Sequence, residues 1–225
     1  GCWKALVCSS YLQAYRMSKR RALWFFPVLV WVIFTYWYTD FGGPLSDEEV
    51  AEAVAYFESQ DMEKEKLDQF RTFFEEDTGR QFLMVNNIDT NENPPAMEGF
   101  GDDATAEDYI DHYMEHMYPE LFARACHPVF YGKGLELNID ITGIEDADGW
   151  DTAALFRYRS RRSLVEIITN PEIGPRHEFK LAAMTKTIAY PVEAVLYPSD
   201  PRFLLFLVFG FVTAVMDILF FGRRS

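Results

Sequence analysis

Two stretches of the chain carry no charge, and the region between them is patterned for a folded domain. Residues 23–38 (LWFFPVLVWVIFTYWY) and 203–216 (FLLFLVFGFVTAVM) hold no Asp, Glu, Lys or Arg, and the second run resumes after Asp217 as 218–221. A helix rises about 1.5 Å per residue and a bilayer's hydrocarbon core is about 30 Å thick, so about 20 apolar residues cross it. The second run meets that length if Asp217 is tolerated. The first meets it over 23–41, with Trp24, Tyr36, Trp37 and Tyr38 as interfacial anchors. The pattern therefore predicts membrane-spanning helices at 23–41 and 203–221. Lys19-Arg20-Arg21 resembles the basic start of a signal peptide, but no small-x-small cleavage site follows, which favours a span. Pro27 suits a first helical turn.

Between the runs the period changes repeatedly. Ser46-Asp47-Glu48-Glu49 reads as a capping box, followed by Val50, Val54 and Phe57 at helical spacing. A second helix is expected over 62–76, with Leu67, Phe70, Phe73 and Phe74 as its apolar stripe and Thr78-Gly79 as its stop. Together they make an acidic helical segment, 44–79. Residues 82–88 read as a strand and 91–101 as a loop. Thr105-Ala106-Glu107-Asp108 caps a helix toward residue 125 that carries Tyr109, Tyr113, Met117, Leu121 and Phe122. Residues 127–131 and 135–141 are short strand candidates, with a turn at Asp146-Ala147-Asp148-Gly149. A strand at 152–158, short helices at 163–169 and 176–185, and a last strand at 187–192 complete the reading.

That order is the split βαβ pattern, so the expected fold class is α+β. A ferredoxin-like βαββαβ domain at 81–197 follows the helical insert, flanked by two transmembrane helices. Helices cover one face of such a sheet and the other needs a cover. A second copy closing a barrel, another polypeptide, or the 44–79 helices would supply it.

Charge sets an orientation. The 225 residues hold 21 Lys+Arg and 35 Asp+Glu, a net −14. Residues 1–39 contain five basic residues and no acid, and 203–225 contain Arg223 and Arg224 against Asp217. Residues 40–202 carry 14 basic and 34 acidic side chains. The positive-inside rule then places both termini in the cytoplasm. For a bacterial source this means an inner-membrane protein with residues 42–200 in the periplasm and a cytoplasmic tail at 222–225. Residues 1–22 are expected on the cytoplasmic side, either as an interfacial helix presenting Trp3, Leu6, Val7 and Tyr11 or as the fraying start of the first span. The acidity excludes binding to a nucleic-acid backbone, and 49% hydrophobic residues exclude disorder. Cys2, Cys8 and Cys126 cannot make a disulfide framework.

Residues 150–193 resemble a known family. Phe156-Arg157-Tyr158-Arg159-Ser160-Arg161-Arg162, then Asn170-Pro171-Glu172, then His177 and Lys180-Leu181-Ala182-Ala183 are similar to the DUF1330 family of the dimeric α/β-barrel (ferredoxin-like) superfamily. Tyr113, Met117, Pro119 and Leu121 ahead of His127 and Gly132 resemble its first helix and next strand. The resemblance covers about residues 81–193. It implies the fold and a possible homodimer, and it carries over no catalytic residue.

Candidate chemistry is sparse. His112 and His116, four apart beside Glu115, have metal-ligand spacing, but the order is not the His-Glu-x-x-His of a zincin and no third ligand is defined. Arg157, Arg159, Arg161 and Arg162 form a cluster that either holds an anionic ligand or partner, together with Tyr113 and His177, or neutralises neighbouring acids. Tyr109, Tyr113, Tyr118, Phe122, Phe130 and Tyr131 read either as an aromatic ligand cavity or as core. In the second span, Gly210, Thr213 and Asp217 mark a packing face. An intramembrane acid implies a partner helix or proton path unless it snorkels toward Arg223.

No P-loop, GxGxxG, CxxC pair or serine elbow occurs, and no cofactor is implied. The expectation is a non-catalytic accessory or structural subunit of a larger inner-membrane complex, partnered by the bilayer and integral-membrane subunits. Its acidic domain would suit a basic periplasmic partner such as a cytochrome c. The alternative is a membrane-anchored small-ligand binder or a cofactor-poor monooxygenase-like enzyme.

Overall fold

A computed structural model of the chain describes residues 2–135 and 137–222, with side chains from residue 17 onward. The elements are α1 (Cys2–Tyr38), α2 (Asp47–Ser59), α3 (Lys64–Glu75), β1 (Phe82–Thr90), α4 (Ala106–Ala123), β2 (His127–Lys133), β3 (Thr152–Tyr158), α5 (Arg161–Ile168), a 3₁₀ turn (Gly174–Arg176), α6 (His177–Ala182), β4 (Met184–Val192) and α7 (Pro201–Phe221). They divide into two compact units, one built on the helices nearest the two ends and the other spanning Thr39–Val195.

In the first unit, Met17–Tyr38 and Pro201–Phe221 are each long and apolar enough to cross a membrane by length and composition. The two helices pair antiparallel: Trp31 meets Phe206 edge-on at 5.6 Å, and its Nε1 donates to the Arg202 carbonyl at 2.7 Å. The Arg202 guanidinium lies over the Tyr38 ring at 5.4 Å. Asp200 caps α7 by accepting from the Arg202 N–H, and Pro201 occupies the first turn, where no donor is lost.

Two expectations change here, and one open alternative is decided. The first helix stops at Tyr38 rather than 41, because Asp40 accepts from the Gly42 N–H at 2.8 Å and Gly43 turns with φ +72°. Pro27 stands inside a continuous helix, not in its first turn. Of the two readings of the N-terminal segment, residues 2–22 take the second, as the start of that same helix, while Trp3, Leu6, Val7 and Tyr11 fall outside the described side chains, as Arg223 and Arg224 of the 222–225 tail fall outside the described residues.

The second unit is α+β, around a four-stranded antiparallel sheet in the order β2-β3-β1-β4. With its helices after β1 and β3, this is the ferredoxin-like arrangement. Both expected capping boxes form, Ser46 with Glu49 and Thr105 with Asp108. The main core joins Phe82 and Tyr158 of the sheet to Tyr113, Met117 and Leu121 of α4 and to Leu164 and Ile167 of α5. A second core packs α2 and α3 through Val54, Phe57, Leu67 and Phe74, reaching Val165 and Ile168 of α5. The helical insert therefore packs on the helix layer.

Two boundaries differ from the sequence reading. The described residues of 135–141 form no strand: Lys133 already faces Thr152, where β3 begins, and the Gly134 N–H donates to the Asp151 carbonyl at 2.6 Å. The helix expected over 176–185 is only His177–Ala182, because Met184 already pairs with Thr90 and the β-branched Thr185, Thr187 and Ile188 suit the extended strand.

Candidate functional site

The arginine cluster is placed by the β3–α5 junction. Alternation along β3 sends Phe156 and Tyr158 toward the helices and Arg157 to the other face. Arg157 is fully buried, donating to Gln81 Oε1 at 2.8 Å and to the Ala125 carbonyl at 2.6 Å. Ser160 caps α5 and donates to Asp40 at 2.5 Å. Arg159 donates from Nε to Ser163 Oγ at 3.3 Å. Arg161 pairs with Asp77 and Glu193, both at 3.5 Å, and donates to the Phe73 carbonyl. Arg162 pairs with Glu49 at 2.6 Å and Asp40 at 3.5 Å, and donates to the carbonyls of Gly43 and Pro44.

Arg161 and Arg162 thus bind residues on both sides of the helical insert to the start of α5. The Arg162 hydrogen bond, with those from Ser46, holds the Glu49 carboxyl down at about 2. Burial pushes the Asp40 carboxyl up, but hydrogen bonds from Ser160 and Gly42, with Arg162 nearby, outweigh it and hold it below its ordinary value.

His112 and His116 lie on one face of α4 with ring centroids 5.7 Å apart. The His112 ring is held edge-on by Phe179 at 4.7 Å and Phe100 at 5.3 Å, and His116 Nδ1 lies 3.4 Å from the His112 carbonyl. Among the described residues no group of three His, Cys, Asp or Glu side chains converges. The six-residue aromatic cavity does not form. Tyr109 and Tyr113 lie in core clusters, whereas Tyr118, Phe122, Phe130 and Tyr131 are exposed, because α4 turns Tyr118 and Phe122 outward and β2, which carries Phe130 and Tyr131, is an edge strand.

The structure instead gathers polar groups between α4, α6 and the sheet. Tyr113 sits in the apolar stripe of α4, with the His177 ring at 6.2 Å and Lys180 Nζ at 6.0 Å from its ring centroid. His177 and Lys180 are one turn apart on α6, which packs on α4. Tyr158 lies in the same core, stacked on Phe82 at 5.2 Å. Burial raises both phenols, Tyr113 to about 12, and lowers the Lys180 ammonium. Burial likewise lowers His177, helped by Lys180 and by Lys66 of α3. Tyr158 and Lys180 enter the sequence reading only through the family resemblance and Lys66 not at all, since each has the spacing of an ordinary helix charge or core aromatic.

The second face of the sheet carries an apolar row. Register aligns Phe130, Leu155, Val85 and Tyr190 across all four strands, followed by Gly132, Ala153, Asn87 and Ile188. None of the first row belongs to a core cluster, and Phe130, Ile188 and Tyr190 are 44–52% exposed. Beyond β2, Leu135, Leu137 and Ile139 are 78–90% exposed.

In the helical unit, Thr213 and Asp217 are the buried residues of α7. Asp217 accepts two hydrogen bonds from Arg20 of α1, at 2.7 and 2.6 Å. Gly210 is not part of this contact: a Cβ there would meet nothing within 4 Å.

No family model matches the chain, and no curated protein matches it. Among solved structures, the protein of unknown function RPA0582 from Rhodopseudomonas palustris is similar at 20% identity, over 60% of this chain and 96% of that one, with a TM-score of 0.48. Its methylated form gives 20% identity, 62% and 96% coverage and 0.49. A dimeric protein of unknown function with a ferredoxin-like fold from Bacteroides fragilis gives 11% identity, 51% and 96% coverage and 0.29. The chain's own strand order, β2-β3-β1-β4 with helices after β1 and β3, makes its central unit a ferredoxin-like α+β domain.

Proposed function

We propose that the protein is a membrane-anchored, non-catalytic accessory subunit whose ferredoxin-like domain docks on another polypeptide through the second face of its sheet. In this reading α1 and α7 span the membrane and the acidic domain lies outside the cytoplasm, as the basic flanks of both spans favour. The domain would be one of the DUF1330 type. The observation that carries the reading is the row Phe130–Leu155–Val85–Tyr190, an apolar stripe outside the domain's own cores. Exposed apolar rows of this kind mark protein-interaction surfaces. The arginines support it from the other side, since Arg161 and Arg162 serve the fold through Asp77, Glu193, Glu49 and Asp40.

The test is native gel electrophoresis of membranes solubilised in mild detergent. The chain should migrate in an assembly larger than itself, and the double substitution F130E/Y190E should release it while far-ultraviolet circular dichroism stays unchanged. Migration as a lone monomer before substitution overturns the reading. An assembly containing only this chain identifies the docked polypeptide as a second copy and overturns the accessory role.

A further inference from the structure

We propose that the two tethers leading from the spans, residues 39–44 after α1 and 193–200 before α7, lie in the headgroup layer of the bilayer and insert Phe41, Val195 and Leu196 as apolar anchors. This deepens the membrane-anchored reading and rests on α1 and α7 spanning the bilayer; the docking face of the sheet plays no part in it.

Three observations converge on it. First, each tether holds apolar side chains in water at the points nearest the spans. Phe41 is 68% exposed, Leu196 82%, and Val195 fully so, and none of them joins a core cluster of the described residues. Such side chains gain by leaving water, and chain continuity supplies the surface. Phe41 follows Tyr38 by three residues and Leu196 precedes Pro201 by five. An extended chain covers about 3.5 Å per residue at most, so these reaches are at most about 10 Å and about 17 Å. The headgroup layer beyond the hydrocarbon core is about 5–8 Å deep on each side. Neither anchor can stand far from it.

Second, the charged groups of the tethers are engaged by the chain itself. Residues 39–44 and 193–200 contain three acids and no base. Asp40 accepts from Ser160 and from the Gly42 N–H and pairs with Arg162. Glu193 accepts from Thr78 Oγ1 at 2.6 Å and pairs with Arg161. Asp200 accepts from the N–H and guanidinium of Arg202 at 2.5–3.0 Å. A free carboxylate would resist leaving water, whereas these paired ones leave Phe41, Val195 and Leu196 to decide the balance. With 34 acids against 14 bases over 40–202, the domain is repelled by anionic headgroups, so the seating is apolar and needs no charged lipid.

Third, the helical unit carries an aromatic belt at this end. Tyr36, Trp37 and Phe203 are exposed there, and Arg202 lies over Tyr38. Aromatic side chains in such a position sit at headgroup level. Between Val192 and Pro201 the backbone is neither helix nor strand. Irregular backbone does not face the hydrocarbon core, which fixes the depth at the headgroups.

The test uses the full chain in phosphatidylcholine vesicles, with nitrobenzoxadiazole attached at single cysteines. Phe41→Cys, Val195→Cys and Leu196→Cys are compared with Ile33→Cys inside α1 and with Leu135→Cys, an exposed apolar position of the domain outside the tethers. The background is Cys2→Ser/Cys8→Ser, whose remaining Cys126 is fully buried, so the unlabelled background is the blank. Labels at 41, 195 and 196 should be blue-shifted and quenched by a headgroup-nitroxide lipid, equally in low and high salt. The label at 135 should be quenched by aqueous iodide alone. Iodide quenching at 41, 195 and 196 alongside lipid quenching at 33 overturns this proposal and leaves the anchor standing. Absence of lipid quenching at 33 overturns the anchored reading and this proposal with it. Shielding of the tether labels from both quenchers, loss of their lipid quenching in high salt, or equal lipid quenching at 135 also overturns it.

Discussion

Arg20 grips the carboxylate of Asp217 through two hydrogen bonds, 2.7 Å from Nε and 2.6 Å from Nη2, joining the first apolar helix to the last. Trp31 meets Phe206 in the same antiparallel register, and Arg202 lies over Tyr38 nearer the other end of the pair. From residue 20 to residue 38 is about 27 Å along a helix, close to the thickness of a bilayer's hydrocarbon core. The polar contacts thus lie near the two ends of the helix pair, with an apolar stretch between them. An acid for which the sequence left a partner helix, a proton path or snorkelling toward Arg223 open is satisfied within the chain by Arg20.

The first prediction concerns this pair. Asp217→Ala and Arg20→Met should each lower the temperature at which the helix pair separates in detergent. The swap Arg20→Asp with Asp217→Arg should recover part of the loss, whereas additive losses in that cycle would show that the two side chains do not act as a pair. Gly210→Leu should leave the same temperature unchanged, since nothing lies within 4 Å of a Cβ there.

A second prediction follows from the junction between the helical insert and α5. Asp77 has a side chain only 1% exposed, pairs with Arg161, and accepts from the backbone N–H groups of Leu45 and Gly79. Asp77→Ala would strand the Arg161 guanidinium and two backbone donors, costing about 3 kcal/mol. Calorimetry of the full chain should show a clear fall in the domain's melting temperature.

Gly79 allows a sharper prediction. Its φ is +69°, and a Cβ would lie 2.7 Å from the Gly43 carbonyl carbon and 2.8 Å from the Pro44 nitrogen. Backbone atoms cannot swing aside as a long side chain can. Gly79→Ala should cost about 2 kcal/mol or more from the left-handed conformation and the clash together. Gly149→Ala, at φ +72° with open space around it, should cost less, and denaturant midpoints of the two variants check the order.

Acid should weaken the same junction by a defined route. The Glu49 carboxyl is held at about 2 when folded, chiefly by the Arg162 hydrogen bond, against an ordinary value of 4.5. The unfolded chain therefore takes up this proton first as pH falls. The stabilisation is complete above about 4.5 and is lost progressively as pH falls from there toward 2. Glu49→Gln should be less stable than the parent at neutral pH, and the difference should shrink below pH 4.5. Circular dichroism at a series of pH values measures it; a difference that holds constant to pH 2 would sink the assignment.

Much of this architecture is legible in the sequence because it rests on local rules. Ser46 with Glu49 and Thr105 with Asp108 announce helix starts through side chains that satisfy orphan backbone donors a few residues away. The order of the strands follows from alternation and turn residues. Residues 135–141 show where such rules end, since their alternating Leu and Ile describe a strand that lacks a neighbour, Lys133 already facing Thr152, where β3 begins. The candidate site was harder still. Tyr113 and His177 stood out, but Lys180 and Tyr158 acquire meaning only when α6 packs on α4 and both face the sheet. Arg20 and Asp217 are 197 residues apart, and no local pattern links them.

That separation also orders the life of the chain on the ribosome. Arg20 precedes and Asp217 follows every strand and helix of the ferredoxin-like domain, so all of them are translated before the grip can close. The two helices can pair only after the domain between them has been synthesised. A chain truncated between the domain and residue 217 would carry every element of that domain and leave the Arg20 guanidinium without its carboxylate.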